Sequence, residues 1–260
     1  MPPARGRLGR RAPPPGTPAP RLARYLRAAP PPAPARLDRA TGIGWRMFCN
    51  DRLGCCTIAA LANAIVQRTQ LGGGTPLVMD DATVEHCYGI VGGYVPGRPE
   101  TDAGAVETDV LGWFAREGVR LRPQGVECGV WARLAAGDRE AIRQAVQLFG
   151  SAYLGLDLPR RAQTQTVWEP VAGDDALDRP GSWGGHAVLV AGYDEAEVSL
   201  ITWGGVQKAS WAFLDRYCDE AYAVFAPGEW LGPRGTSPGD LDFATLAGDL
   251  RALGQVGAHQ

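Results

Sequence analysis

The hydrophobic pattern divides the chain into a helical first half and a strand-rich second half. Apolar side chains recur at helical spacing over residues 57–69, and the small alanines between them suit a helix packed on several sides. Residues 80–90, 105–117 and 141–149 are also predicted helices, the last with Asp138 as its cap. Later apolar runs are typical of strands, at 152–158, 187–191, 198–202, 211–214 and 221–225.

This order of elements predicts an α+β fold with two lobes and a site in the cleft between them. Residues 37–135 would form the helical lobe and residues 136–228 an antiparallel β-rich lobe. Residues 1–36 contain 11 of the 21 prolines, which predicts a disordered leader with one turn of helix near 21–28. Residues 229–260 are expected to form a partly flexible C-terminal extension.

Charge is distributed unevenly along a chain of otherwise ordinary composition. Residues 1–50 hold ten Arg and one Asp, whereas the rest holds 16 basic and 27 acidic residues. A basic arm of this kind is suited to contact nucleic acid, an anionic surface or the acidic remainder of the chain. Because it lacks the aromatic residues that stack on bases, we interpret it as a solvated tail without a dedicated nucleic-acid partner. We see no run suited to a membrane span or a signal peptide, which favours the cytoplasm and no membrane partner. The oligomeric state stays open.

The six cysteines are too few and too scattered for a disulfide scaffold, so most are expected to be free thiols. Cys55, Cys56, His86 and Cys87 together fit no standard zinc spacing. We therefore expect neither a metal nor a cofactor.

Cys56 and His186 are the candidate nucleophile and base. Cys56 follows a tight turn and directly precedes the predicted helix at 57–69, where free N–H groups and the helix dipole lower a thiol pKa. His186 follows two glycines and opens a predicted buried strand, 130 residues after Cys56. These residues together indicate thiol chemistry.

Each candidate has competitors and a purely structural alternative. Cys55 is adjacent to Cys56, and a buried cysteine often serves only as a small apolar side chain. His86 lies inside a predicted helix beside Cys87, and His259 is the penultimate residue. Singly, each of these residues is more often structural than catalytic.

The turn before Cys56 also contains groups that suit acyl transfer. The free backbone N–H of Cys56 would face a developing oxyanion, and the side-chain amide of Asn50 would supply a second donor. Gly54 allows a substrate to approach the backbone closely.

On these segments the chain resembles the papain-like cysteine peptidase superfamily. Residues 50–57 match the family's Gln-Gly-x-Cys-Gly-Ser-Cys-Trp, and residues 186–193 match His-Ala-Val-x-x-Val-Gly-Tyr. Residues 201–204 echo Asn-Ser-Trp-Gly, and residues 102–104 resemble the segment that binds the substrate backbone. The first segment also resembles bacterial and phage-associated proteins with an Asn-Asp-x-x-Gly-Asp-Cys-Thr motif.

The resemblance implies roles for particular residues. Cys56 would be the nucleophile, His186 the base and Asn50 the oxyanion donor. The position that orients the imidazole falls on Ile201, which cannot hydrogen-bond, or, with a shift of one residue, on Thr202. The substrate would be bound by Gly54, Asp102, Gly104, Gly185 and Trp203. The leader does not resemble the family's helical inhibitory pro-domain.

The expected activity is that of a cysteine-dependent hydrolase, a peptidase or amidase, acting on a peptide or protein through an acyl-thioenzyme. Ile201 leaves open an inactive papain-like module that binds or has a structural role. A transglutaminase- or acyltransferase-like enzyme, with an amine in place of water, is the other alternative.

Overall fold

The fold is built from helices and strands in nearly the order that the hydrophobic pattern predicts. The computed structural model describes residues 6–27, 29–72, 79–121, 125–173, 175–225 and 241–256. Its helices are α1 (Cys56–Leu71), α2 (Asp81–Gly92), α3 (Glu107–Arg116), α4 (Arg139–Phe149), α5 (Trp211–Tyr217) and α6 (Phe243–Val256). The first six strands are β1 (Arg10–Arg11), β2 (Leu37–Asp38), β3 (Ala105–Val106), β4 (Val119–Leu121), β5 (Gly125–Glu127) and β6 (Val130–Arg133). The others are β7 (Ala152–Leu158), β8 (Val167–Trp168), β9 (Gly184–Tyr193), β10 (Glu197–Thr202), β11 (Gly205–Ser210) and β12 (Cys218–Phe225).

Helix α1 is the centre of the helical lobe. It is buried from Cys56 to Thr69 and packs against α2, α3 and β9, which its small alanines permit. Two of its polar side chains, Asn63 and Gln67, donate to backbone carbonyls distant in sequence. Gln67 Nε2, for example, donates to the carbonyls of Arg39 and Gly150. This satisfies the buried amide nitrogen and anchors the helix to both halves of the fold.

The second lobe is a mostly antiparallel sheet of eight strands. Seven of them follow the order β6-β12-β7-β9-β10-β11-β8, and β2 pairs with the end of β9 that β7 does not reach. The central strands β7 and β9 are buried on both faces. The architecture is therefore the predicted α+β fold, with α1 lying against the sheet at β9 and β10.

Two details of the predicted second lobe are wrong. Residues 211–214 form the start of α5 rather than a strand, because the Ser210 side chain caps a helix by accepting from Phe213 N. Strand β6 belongs to the large sheet, since it pairs with β12, although it precedes the expected boundary at residue 136.

The leader also differs from its prediction. Proline-rich composition predicts disorder, yet residues 6–27 lie against the rest of the chain, where β1 pairs in parallel with β3. A 3₁₀ turn at Leu22–Arg24 lies within the range where one turn of helix is predicted. Buried Leu22 and Tyr25 anchor it, and Tyr25 Oη donates to Asp249 of α6. The leader is held by contacts with the rest of the chain and not by a core of its own. Composition alone does not reveal such contacts.

Candidate active site

Cys56 is the first residue of α1, as predicted. Its neighbour Cys55 occupies the N-cap position, and Tyr153 Oη of β7 donates to Thr57 O, which fixes the start of the helix on the sheet. The thiol is buried, and burial raises its pKa to about 12 although the backbone N–H groups of Ala187 and Gly9 act in the opposite direction. In this arrangement Cys56 is a neutral thiol.

His186 lies near the start of β9 and is fully buried. Its Nε2 shares a 2.6 Å hydrogen bond with Thr202 Oγ1, and its Nδ1 has no hydrogen-bond partner within the described residues. Trp203 stacks on the imidazole, with the ring centres 4.6 Å apart. Burial lowers the pKa of His186 to about 3, so the ring is neutral.

A tight turn presents Thr202 and Trp203 to the imidazole. Strands β10 and β11 are joined by Trp203 and Gly204, both with positive φ, 48° and 73°. A two-residue turn with two positive φ values matches the twist of a hairpin, but a bulky residue seldom adopts that conformation. Ile201 pairs with Leu189 and lies in the core, so Thr202 is the residue that contacts His186.

Asn50 contacts a carbonyl of the leader. Its Nδ2 donates to Arg7 O at 2.9 Å and to Leu53 O at 3.0 Å. Trp203 Nε1 approaches the same Arg7 oxygen at 3.4 Å, and Arg7 N donates back to Asn50 O at 2.7 Å. The side chain expected to bind an oxyanion therefore binds a backbone carbonyl oxygen of the leader.

Residues 6–11, which we call the cleft segment, continue past the other predicted binding residues. Gly9 N donates to Gly185 O, and Gly9 O accepts from Ala105 N. The approach is very close, since a Cβ on Gly9 would lie 1.8 Å from Gly54 O and one on Gly104 would lie 2.1 Å from Gly9 O. Glycine is required at these points because there is no room for a side chain.

Asp102 connects the loop before Cys56 with the loop before β3. Its Oδ1 accepts from Gly54 N at 2.9 Å and from Tyr88 Oη at 2.6 Å, and its Oδ2 lies 3.6 Å from Arg7 Nη2. Tyr88 Oη in turn accepts from Gly104 N. Asp102 therefore holds the two glycine-containing loops in place as well as contacting the cleft segment.

The cleft segment leaves almost no free space beside the candidate nucleophile. The remaining cavity, lined by Asn50, Cys56, Thr202 and Trp203 among others, measures about 10 Å³. That is no more than a single water molecule requires. The space beside Cys56 is therefore closed in this arrangement.

Sequence reasoning missed a charged cluster beside this site. The Arg10 side chain is buried among Glu107, Asp157, Asp219 and Glu220. These carboxylates come from three separate elements, so no local motif reveals them. The paired acids at 219–220, directly before an apolar strand, were the only signal in the sequence.

The competing candidates lie elsewhere. Cys55 is buried with its Sγ near Phe48 O, and His86 is exposed on α2. His259 lies outside the described residues. None of the six cysteines, all of which the structure describes, forms a disulfide. Among the described residues no group of three or more His, Cys, Asp or Glu side chains is placed to hold a metal ion.

Structural comparison defines the class of fold. Xylellain, a cysteine protease from Xylella fastidiosa, superposes with a TM-score of 0.64 and 15% identity, over 86% of this chain and 98% of that one. A procathepsin B from Trypanosoma congolense gives 0.58 and 14% identity, over 84% and 86%. The Carica candamarcensis protease CMS1MS2, in complex with E-64, gives 0.52 and 16%, over 74% and 98%.

The chain therefore has the papain-like fold, as expected from the resemblance. At sequence level no family model and no curated protein matches it. In the part of the chain that the structure describes, no helix combines the length and the apolar character needed to cross a bilayer.

Proposed function

We propose that this chain is a cysteine hydrolase that cleaves peptide or amide bonds, with Cys56 as nucleophile and His186 as base. One observation carries the proposal: an extended segment of the chain lies across these two residues. Its backbone is bonded to Asn50, Gly185 and the β3 strand beside Gly104. A cleft that binds a peptide backbone in this way suits a peptide substrate.

In the proposed reaction, His186 Nδ1 takes the proton of Cys56 and the thiolate attacks the substrate carbonyl carbon. This requires Nδ1 to carry the lone pair, which follows if Nε2–H donates to Thr202 Oγ1. Asn50 Nδ2 and the Cys56 N–H would bind the oxyanion. The imidazolium then protonates the leaving amine, and water, with His186 as base, hydrolyses the thioester and restores the thiol.

The closed cleft accounts for the pKa values of the resting pair. Thiol and imidazole are both neutral because burial opposes either charge. Once the cleft segment leaves, water would solvate both groups, and the helix N-terminus would favour the thiolate. We therefore infer that the pair becomes active only in the open chain.

Thiol reactivity tests this proposal directly. A site for a sequence-specific protease is introduced at the turn near Gly16, where the backbone faces open space. The full chain folds, the leader is cut and released, and the chain is alkylated briefly at pH 5–6. Mass spectrometry then locates the label.

Cys56 of the opened chain should label at least 100-fold faster than Cys55 or Cys218, and this advantage should disappear in His186→Ala. Equal, slow labelling of all three thiols would refute the catalytic pair and favour an inactive binding module. If the pair is reactive, product analysis with and without an added amine distinguishes hydrolysis from acyl transfer.

A further inference from the structure

The Arg10 side chain fills a deep pocket of the cleft. Its guanidinium has no exposed surface, although it belongs to the proline-rich leader. Nε donates to Glu220 Oε1 at 3.0 Å and Nη1 to Asp157 Oδ1 at 3.1 Å. Nη2 also bonds Asp219 and Glu220. A planar, forked donor set is what an arginine offers and a lysine does not.

The body supplies every other part of this pocket. Glu220 forms the base and accepts from Tyr222 Oη, while Asp157 and Asp219 stand at the mouth, about two-fifths exposed at 41% and 38%. Gly155 forms the wall, since a Cβ there would lie 2.5 Å from Arg10 Nε. The sequence thus provides both the negative charge and the space for one guanidinium.

Glu107 adds a further buried carboxyl group to this pocket. It is buried at the first turn of α3, and neither of its carboxyl oxygens has a hydrogen-bond partner within the described residues. It nevertheless acts on Arg10: burial opposes the charge of the guanidinium, but Glu107, Asp219 and Glu220 outweigh this effect and raise its pKa. Without a guanidinium, several carboxylates would face one another unpaired, which is strongly unfavourable.

The pocket lies next to the reacting groups. Arg10 follows Gly9, whose N–H faces the Cys56 thiol and also donates to Gly185 O beside His186. A peptide held in the same cleft would therefore place one of its side chains in the pocket when its backbone passes Cys56.

We propose that this pocket, formed by Glu107, Gly155, Asp157, Asp219 and Glu220, selects substrates with an arginine side chain close to the bond that is cleaved. The leader's Arg10 occupies the position that the substrate arginine takes. This assignment rests on the proposed hydrolase function and adds its substrate class.

Cleavage specificity provides one arm of the test. The chain with the protease site near Gly16 also carries Arg10→Ala, so that the released segment cannot fill the pocket. It is incubated with a peptide library, and the products are identified by mass spectrometry. Arginine should be enriched at one fixed position within two residues of the cleaved bond, at least tenfold over leucine and over citrulline, its neutral analogue.

Variants of the pocket provide the control for charge. Asp219→Asn and Glu220→Gln should each reduce the preference for arginine over citrulline at least tenfold. Asp215→Asn, which removes an exposed carboxylate paired with Arg139, should leave it unchanged. Should Glu220→Gln misfold because Tyr222 loses its acceptor, Asp157→Asn at the mouth replaces it.

A binding arm separates this inference from the hydrolase function. In the opened Cys56→Ala chain, the peptide Gly-Arg-Leu-Gly-Arg-Arg is compared with the same peptide carrying citrulline at the fifth position. Tighter binding of the arginine peptide, by at least tenfold, supports the pocket even if no hydrolysis is found. Hydrolysis without any preference for arginine overturns the pocket and leaves the hydrolase standing, and equal binding of the two peptides also overturns it.

Discussion

At the scale of single residues, the position that orients His186 shows how local geometry decides a role. Side chains alternate between the two faces of a strand, so neighbouring residues of β10 point in opposite directions. Ile201 is in the core, and Thr202 therefore faces the imidazole, to which it is hydrogen-bonded. The sequence offered both residues, and this alternation identifies the one in contact.

Replacement of Thr202 by valine keeps the shape of the side chain and removes the hydrogen bond to Nε2. We expect Thr202→Val to slow acylation of the opened chain by 10- to 100-fold, because the ring loses the partner that fixes its tautomer. Thr202→Ser retains the hydroxyl and should recover most of the rate. Single-turnover kinetics with a peptide ester would measure both, and equal rates in the valine and serine variants would contradict the orienting role.

Asn50 is expected to act on the oxyanion and not on the thiol. Asn50→Ala should therefore lower kcat by about 100- to 1,000-fold, the usual effect of losing one such donor. Alkylation of Cys56, which forms no oxyanion, should stay within a few-fold of the wild type. Parallel loss of both reactivities would instead mean that the loop holding Asn50, Leu53 and Cys56 had collapsed.

At the scale of elements, the sequence predicted the positions of helices and strands whose hydrophobic residues recur at regular spacing. Helices α1 and α4 and strands β7 and β12 lie within a few residues of their predicted positions. The strand predicted at residues 211–214 is wrong for a specific reason. The apolar run there is short, and in such short runs a helix and a strand show the same hydrophobic pattern. The Ser210 cap decides in favour of the helix.

Glu107, at the start of α3, is a buried carboxyl group whose effect on stability can be measured. Burial and nearby Glu220 raise the pKa of Glu107 well above its usual value, although Arg10 acts in the opposite direction. A carboxyl whose folded pKa is raised favours folding while it is protonated, and that contribution is lost as the pH rises from the unfolded pKa through the folded one. The contribution of Glu107 to stability should therefore decrease as the pH rises above the usual pKa of a glutamate.

Glu107→Gln removes this titration. The variant should be about as stable as the wild type at pH 4 and more stable at pH 8, by roughly 1.4 kcal/mol for each unit by which the pKa is raised. Urea unfolding at both pH values measures the difference. Glu117→Gln, at an exposed side chain at the other end of α3, is the matched control, and a pH effect of Glu107→Gln that this variant reproduces would contradict the role of burial.

At the scale of the whole molecule, the relation between the leader and the cleft was out of reach of local patterns. A proline-rich segment has too few apolar residues to form a core, and composition therefore predicts disorder. Here the order comes from long-range contacts instead: Arg7 with Asn50, Gly9 with Gly185, and Arg10 with carboxylates almost 150 to 210 residues away. Only the folded chain brings these groups together.

This dependence on Arg10 makes opening of the uncut chain measurable. Arg10→Ala would leave Glu220 and its neighbours buried without a cation in the closed state, a change that generally destabilises by several kcal/mol. The leader should therefore detach more often, and Cys56 should be alkylated at least tenfold faster at pH 6. Arg11→Ala, the neighbouring substitution at an exposed side chain, should have no effect.

The pH profile of the same reaction separates opening from general loosening of the fold. In the closed wild type the pKa of Cys56 is about 12, so its labelling rate should rise about tenfold per pH unit from pH 6 to pH 10. In Arg10→Ala the rate should already be high at pH 6 and nearly independent of pH, because the thiolate is then stabilised by an imidazolium. A variant that labels faster but keeps the steep profile would show that opening the cleft exposes an ordinary thiol, and that Cys56 and His186 do not form a catalytic pair.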